Sequence, residues 1–162
     1  MPVWLIGIVF SMDTITYTLT SFFLNFIKEA NKNFQKLVCL GVFFFIVSLM
    51  LSGPAPNILP NEVYVICIGI LFGGVGGALV NNNCVPALST ILENNVKDLD
   101  LNQIKNNVSA INTGAFGLGS ILGPILASLL ESSIGYRWSF TLIGIFVAFI
   151  AVNQYYATFF YK

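Results

Sequence analysis

The sequence predicts an all-α, multi-pass transmembrane helical bundle of five spans. Two compositional observations favour this fold class: only 9% of the 162 residues are charged, and 56% are hydrophobic. The mean hydropathy is +0.83. A soluble domain usually draws about 25% of its residues from the charged types, so this chain lacks the polar surface that water requires. The third observation is that charged residues and prolines divide residues 1–162, a single domain, into five long apolar segments.

Each segment is bounded by residues that interrupt a spanning helix. The predicted spans are 3–27, 36–53, 63–84, 108–130 and 138–161. A span needs about 17–25 mostly apolar residues, so we expect the short second span to include Phe34 and Gln35. Val85-Pro86 should end or kink the third helix, because proline lacks the backbone N–H and restricts the residue before it. The polar stretch 85–107 is predicted to be a loop with a short amphipathic helix near Leu99 to Ile104.

Basic residues predict the orientation of the chain. Six of the seven lie in regions on one side of the membrane, and only Arg137 lies on the other. The six are Lys28, Lys32, Lys36, Lys97, Lys105 and Lys162. The positive-inside rule therefore predicts a cytoplasmic C-terminus in an integral membrane protein. Five spans would then begin outside, and no basic leader precedes the first apolar run, so we expect the working protein to extend before Met1.

Composition also excludes several classes of function. Seven basic and seven acidic residues cancel, which argues against a nucleic-acid partner. Histidine, the commonest general base and metal ligand, is absent. Cys39, Cys67 and Cys84 form no metal-binding or redox motif, and we expect free thiols in apolar surroundings. We therefore expect no metal, no cofactor and no enzymatic activity, since paired carboxylates are also missing.

The first segment carries the candidate chemistry. At 100° per residue its large apolar side chains share one face, whereas Asp13, Thr16, Tyr17 and Thr20 lie on the other. Asp13 is the only acid deep inside a predicted span, where a charged side chain costs about 2.5–3.5 kcal/mol and usually serves function. We predict that Asp13 binds a cationic substrate or a coupling ion, with the other three beside it. The alternative is structural: Asp13 caps a helix break or pairs with a helix outside this chain.

Small residues recur at intervals of four in two segments. Gly69, Gly73 and Gly77 do so in the third segment, and Ala115, Gly119, Gly123 and Ala127 do so in the fourth. Such spacing gives a smooth ridge on which another helix can pack closely. We therefore expect these residues to serve packing and gating rather than to contact a ligand.

Consecutive asparagines indicate a polar region near the end of the third span. Asn81, Asn82 and Asn83 cover about 200° of a helix, so they cannot all face lipid. Together with Pro86 they suggest the cytoplasmic mouth of a polar cavity, which Asn112 of the fourth span could join. A local hydrogen-bonding role at a helix end is an equal alternative for each amide.

Two motifs resemble the major facilitator superfamily of transporters. The stretch Gly119-Ser-Ile-Leu-Gly123-Pro124-Ile-Leu-Ala127-Ser128 resembles the antiporter element G-x-x-x-G-P-x-x-G-G and its pseudo-repeat in helix eleven, with Ala127 and Ser128 in place of the last two glycines. Gly135-Tyr136-Arg137-Trp138-Ser-Phe140 resembles the G-[YW]-R-W-x-F start of helix twelve. The resemblance implies that the five spans are helices eight to twelve, a partial C-terminal half. The polar first segment and the Leu51–Pro56 turn resemble the vesicular amine and polyamine branch.

The resemblance implies transport by alternating access, in which two six-helix halves rock about a central site. The expected function is secondary active transport of a small solute, with proton-coupled export or vesicular uptake of organic cations or polyamines as the finer hypothesis. The expected partners are the lipid bilayer, a small cationic substrate and the missing N-terminal half. Gly119, Gly123 and Pro124 would form a flexing helix. A non-transporting membrane subunit or scaffold, derived from a truncated transporter, is the alternative.

Overall fold

A computed structural model of the chain describes residues 3–30, 33–53, 62–95 and 101–160. These residues form five α-helices and no strand, which confirms the predicted all-α fold class. The helices are α1 (Val3–Ala30), α2 (Phe34–Ser52), α3 (Val63–Asn95), α4 (Leu101–Ile134) and α5 (Tyr136–Phe160). Helix α2 begins at Phe34, as the short second span required. Lys32, the prolines of the 54–56 turn, Lys97 and Lys162 lie outside the described residues.

Four of these helices are long and apolar enough to cross a membrane. Within the described ranges the four stretches are Phe34–Ser52, Val63–Glu93, Asn102–Ile134 and Tyr136–Tyr156. Helix α1 is not among them, although its 28 residues would span about 42 Å at 1.5 Å per residue. A fifth span over α1 therefore stays a prediction.

The predicted helix end at Val85-Pro86 is wrong. Helix α3 continues through Pro86 to Asn95, so the predicted 85–107 loop is largely helix, with residues 96–100 outside the described ranges. A proline removes one backbone donor, yet a long apolar helix keeps its hydrogen bonds on either side of that gap. The kink at Pro86, the other predicted outcome, stays a prediction. The predicted short helix near Leu99 is likewise replaced, from Leu101 onward, by the first turns of α4.

Helix α3 lies at the centre of the packing. It packs most extensively against α2 and also contacts α1 and α4, while α5 packs against α2 and α4. Helices α2, α3, α4 and α5 therefore form a ring, and among the described helices α1 contacts α3 alone. This arrangement places the polar face of α1 beside the glycine-rich part of α3.

Glycines permit the close approach of α2 and α3. A Cβ atom at Gly76 would lie 2.8 Å from both the Gly41 carbonyl oxygen and the Phe45 amide nitrogen. At Gly69 it would lie 2.8 Å from the Ser52 amide nitrogen. These separations are too short for a side chain, so the two backbones touch where glycine occurs.

The small-residue ridge of α4 has no such neighbour. A Cβ atom at Gly119 or Gly123 would meet nothing within 4 Å among the described residues, and every side chain from 113 to 129 is exposed. Lipid or further helices must cover this face, since a bare apolar surface of this extent is unfavourable in water. Packing of another helix on the ridge stays a prediction.

One turn and its contacts fix α5 against α2. Gly135 has φ of 81° and its amide donates to the Glu131 carbonyl oxygen at 2.9 Å, so it ends α4 in the left-handed conformation. The Tyr136 hydroxyl then donates to the Ser52 carbonyl oxygen at 3.3 Å. The Thr141 hydroxyl lies 3.3 Å from the Gly53 carbonyl oxygen and 3.0 Å from the Arg137 carbonyl oxygen of its own helix, and it can donate to one of them at a time. The Gly-Tyr-Arg-Trp motif therefore joins three helices at one end of the bundle.

Candidate functional site

The polar face of α1 opens onto a cavity of about 520 Å³, which we call the Asp13 cavity. Its walls come from α1, α2, α3 and α4. The lining residues are Phe10, Asp13, Tyr17, Phe45, Ser48, Ser52, Ile70, Gly73, Gly74, Gly77, Asn81 and Phe116. The cavity thus combines one carboxylate with hydroxyl groups, an amide and aromatic rings.

Glycines of α3 position the Asp13 carboxylate. A Cβ atom at Gly74 would lie 2.6 Å from the Asp13 carbonyl oxygen, and one at Gly73 would lie 3.4 Å from Asp13 Oδ1. Because these two residues lack side chains, the α1 backbone rests directly on α3 at this level. The carboxylate therefore lies against the α3 surface, at the wall of the cavity.

The Asp13 carboxylate has no protein partner within the described part of the chain. No described residue donates a hydrogen bond to it or forms an ion pair with it. The rings of Phe10, Phe45 and Phe116 also line the cavity. A carboxylate attracts a cation, and aromatic faces stabilise one further when water is excluded. The arrangement is therefore suited to a positively charged guest or to a proton.

The structure brings together two of the five predicted substrate-site residues. Asp13 and Tyr17 line the cavity, whereas Thr16, Thr20 and Asn112 are not among its lining residues. The Thr16 hydroxyl instead donates to the Met12 carbonyl oxygen at 2.7 Å, one turn earlier in α1. This is the local bonding that threonine commonly makes in a helix.

The three consecutive asparagines have three different environments. Asn81 is exposed and lines the Asp13 cavity. The Asn82 side-chain amide donates to the Ser21 hydroxyl at 2.8 Å and so ties α3 to α1. Asn83 is fully buried and donates to the Leu79 carbonyl oxygen at 2.7 Å, which is a local bond. The predicted polar cavity therefore receives one of the three side chains.

Sequence reasoning missed the contribution of α2. Ser48 and Ser52 are buried and line the cavity, as does Phe45. The two serines are four residues apart in an otherwise apolar helix, which places them on one face. That spacing was the available signal. Nothing comparable marked Phe45 or Phe116, because aromatic residues occur throughout these helices.

A second, apolar cavity of about 320 Å³ adjoins the first inside the helix ring. Four residues line both cavities: Phe45, Gly77, Asn81 and Phe116. Val42, Val80 and Val147 complete the second one. The polar and apolar spaces therefore meet at a boundary formed partly by two phenylalanine rings.

Potential metal ligands are not clustered in the described ranges. These ranges contain no group of three or more His, Cys, Asp or Glu residues that could hold a metal ion. Cys39, Cys67 and Cys84 are free and half-buried, in keeping with the expected thiols.

Comparison with known proteins identifies the family. Residues 2–162 match the Major Facilitator Superfamily. The chain belongs to this family of membrane transporters. It is also similar to "Multidrug resistance protein 3" of Bacillus subtilis (strain 168), with 28% identity over 124 residues. That match covers 75% of this chain and 22% of the relative, so the chain spans less than a quarter of that protein's length. No solved structure matches.

Proposed function

We propose that this chain contributes the cation-binding part of a secondary active transporter that moves small organic cations by alternating access. The observation that carries the proposal is the Asp13 carboxylate, which lies at the wall of a cavity of about 520 Å³ and has no partner among the described residues. Membership of a transporter family and similarity to a multidrug resistance protein support transport in general. The cationic substrate rests on the charge and the aromatic lining.

Asp13 would alternate between a proton and the substrate. A carboxylate in an apolar span is costly when charged and unpaired, so the site favours either a protonated carboxyl or a bound cation. Exchange of one for the other couples proton movement to substrate movement. Antiport of an organic cation, for export or for vesicular uptake, is the specific form we propose; polyamines and monoamines are its candidate substrates.

A second half of the transporter is the proposed partner. The resemblance to the helix eleven and helix twelve motifs supports a C-terminal location of this chain within a longer protein. The open ridge of α4, with no described neighbour at Gly119 and Gly123, is a surface on which missing helices would pack. Cytoplasmic orientation of the C-terminus is part of the same proposal and rests on the positive-inside rule.

The same open ridge favours a second candidate function. A non-transporting membrane subunit would use the exposed α4 face to join a larger complex. It would need no gating movement of Pro124 and no exchange of ligand at Asp13. The two candidates therefore differ in whether replacement of Asp13 changes transport.

The test is proton-driven uptake of labelled monoamines and polyamines into vesicles that contain the full gene product. Asp13→Asn removes the charge and keeps the shape, and we expect uptake to fall at least about tenfold, equivalent to about 1.4 kcal/mol. Glu62→Gln is the matched control, because Glu62 is an exposed acid outside the cavity. Equal uptake by Asp13→Asn and the control would reject Asp13 as the binding group. Absence of uptake in every form, with correct insertion, would favour the non-transporting subunit.

A further inference from the structure

A separate groove of about 280 Å³ lies between α2 and α5, and we call it the α2–α5 groove. Its lining residues are Cys39, Val42, Phe43, Ile46, Ala148, Ala151, Val152, Gln154 and Tyr155. The groove shares Val42 with the apolar cavity inside the helix ring, and it shares no lining residue with the Asp13 cavity. A molecule bound in this groove would therefore occupy a site distinct from the proposed cation site.

The packing of α5 against α2 explains why a groove opens at this level. Nearer the start of α5 the two helices are close, because a Cβ atom at Gly144 would lie 3.2 Å from Met50 Cε. One turn further along α5, the lining residues Ala148 and Ala151 have small side chains. Larger side chains border this space, and Phe43 among them is 58% exposed. Small residues of α5 therefore leave room beside α2 that the described side chains do not fill.

The lining of the groove is apolar except at one end. Among the described residues, no Asp, Glu, Lys or Arg lines it. Gln154 and Tyr155, which lie near the end of α5, supply an amide and a hydroxyl group. An amide can make several hydrogen bonds and a phenol can both donate and accept, so each can take a further partner. This lining suits a neutral molecule that has a large apolar body and one small polar group.

Helix lengths place the polar end of the groove near the membrane surface. Helix α2 has 19 residues and extends about 28 Å, close to the thickness of about 30 Å of the hydrocarbon core. Measured from Phe34, the groove extends from about 8 Å at Cys39 to about 18 Å at Ile46. Tyr155 lies next to the end of the candidate span Tyr136–Tyr156. The groove therefore reaches from the interface into one leaflet, which the proposed orientation makes the cytoplasmic one.

We propose that the α2–α5 groove binds a sterol, a flat fused-ring lipid with a single hydroxyl group. The hydroxyl would bond to Gln154 or Tyr155 at the interface. The rings would lie against Ala148 and Ala151, where small side chains permit close contact. A phospholipid headgroup would find no opposite charge in this lining. A flexible acyl chain would lose more conformational freedom on binding than a rigid ring system does.

The sequence around the polar end agrees with this proposal. Val152-x3-Tyr156-x5-Lys162 fits the short pattern of an aliphatic residue, a tyrosine and a basic residue that has been proposed for sterol contact. The pattern alone carries little weight, because many membrane helices contain it by chance. Here its first residue, Val152, lines the groove and is 54% exposed.

The binding test is photocrosslinking of the full chain in bicelles by a photoactivatable cholesterol analogue, with peptide mass spectrometry to locate the products. We expect crosslinks within residues 39–46 and 148–155, which contain the lining residues. Unlabelled cholesterol should compete at least about tenfold more tightly than its epimer with the inverted hydroxyl group, equivalent to about 1.4 kcal/mol. Both epimers have the same rings, so the comparison isolates the hydroxyl contact. Equal competition by the two epimers, or by a straight-chain alcohol, would overturn the proposal.

A native thiol gives a second measurement that needs no substitution. Cys39 lines the groove, whereas Cys67 and Cys84 do not, and all three are free and half-buried. Cholesterol at about ten times its Kd should slow alkylation of Cys39 by a membrane-permeant maleimide about tenfold, because the free site is then about one tenth of the total. Cys67 and Cys84 should keep their rates in the same sample. Unchanged alkylation of Cys39 at saturating cholesterol would overturn the proposal.

Filling the groove distinguishes a site from general adsorption of sterol. Ala151→Leu should occupy the space beside α2 and weaken sterol binding at least about tenfold, equivalent to about 1.4 kcal/mol. Ala127→Leu is the matched control, because it makes the same change at an exposed position of α4 outside the groove. Equal sterol affinity of the two variants, with native helicity by circular dichroism, would overturn the proposal. If Ala151→Leu loses helicity, the alkylation of Cys39 in the unaltered chain decides.

Discussion

At the scale of single residues, glycines determine the position of Asp13 and the direction of α5. Gly73 and Gly74 allow the backbone of α1 to rest on α3, and this contact places Asp13 at the cavity wall. Gly135 serves differently, because its φ of 81° is a conformation that other residues adopt at a cost. That turn directs α5 back along α2.

Gly135→Ala should destabilise the fold by about 1–2 kcal/mol, the cost of a left-handed conformation for a residue with a Cβ atom. Thermal unfolding in detergent, followed by circular dichroism, measures the change. Gly117→Ala is the matched control, since nothing lies within 4 Å of a Cβ atom there and its φ is ordinary. A similar midpoint for Gly135→Ala and the control would contradict the assigned role of the turn.

Asp13 illustrates what sequence could predict about the site. Its charge and depth in an apolar segment were sufficient to select it, and Tyr17 followed from the helical period. Thr16 was predicted on the same face, yet its hydroxyl bonds to its own helix. The contribution of Ser48 depends on how α2 packs against α3, and one sequence does not specify that relation.

At the scale of helices, small residues in α3 and α4 have different surroundings despite similar spacing. Gly76 touches the backbone of α2, and Gly74 touches that of α1, whereas Gly119 has an open face. The period of four predicts a smooth ridge in each case, but it does not say whether a neighbour is present. Pro86 gives a similar lesson, because a helix end was one of its two predicted outcomes and α3 continues through it, whereas the kink stays a prediction.

Gly76→Ala should destabilise the chain by about 1–3 kcal/mol, because an added methyl group would overlap the α2 backbone. Gly119→Ala should be neutral or stabilising by up to about 1 kcal/mol, since alanine favours helix more than glycine does. Unfolding of the purified chain in mixed micelles of rising dodecyl sulfate content compares them. Greater damage from Gly119→Ala than from Gly76→Ala would contradict the described packing.

A larger substitution at the same position of α4 tests the proposed partner surface. A larger residue, Gly119→Leu, should leave the isolated chain intact while weakening its association with the remaining helices of a complete transporter. Co-purification of the two parts from membranes measures that association. Unchanged association would place the partner on another face.

At the scale of the whole molecule, the bundle is a ring of four helices with α1 attached to α3 alone, among the described helices. This arrangement leaves one wall of the Asp13 cavity to a single interhelical contact. Movement of α1 along the glycine face of α3 would alter access to the carboxylate. Such movement fits a protein whose family transports solutes across a membrane.

Orientation is also a property of the whole molecule, and six basic residues on one predicted side favour a cytoplasmic C-terminus. A fluorescent protein that matures only in the cytoplasm, fused after Lys162, should be bright. A phosphatase that is active only outside, fused at the same position, should be inactive. The reverse pattern would invert the predicted topology.

Labelling of Asp13 by a hydrophobic carbodiimide tests cation binding most directly. This reagent modifies protonated carboxyl groups in apolar surroundings, and peptide mass spectrometry locates each product. We expect modification at Asp13. An organic cation should reduce this modification at least about tenfold, equivalent to about 1.4 kcal/mol, whereas a neutral compound of the same shape should not reduce it. Glu62, an exposed acid outside the cavity, should show no protection by the cation. Modification of Asp13 that is indifferent to the cation would contradict a cation site at this carboxylate.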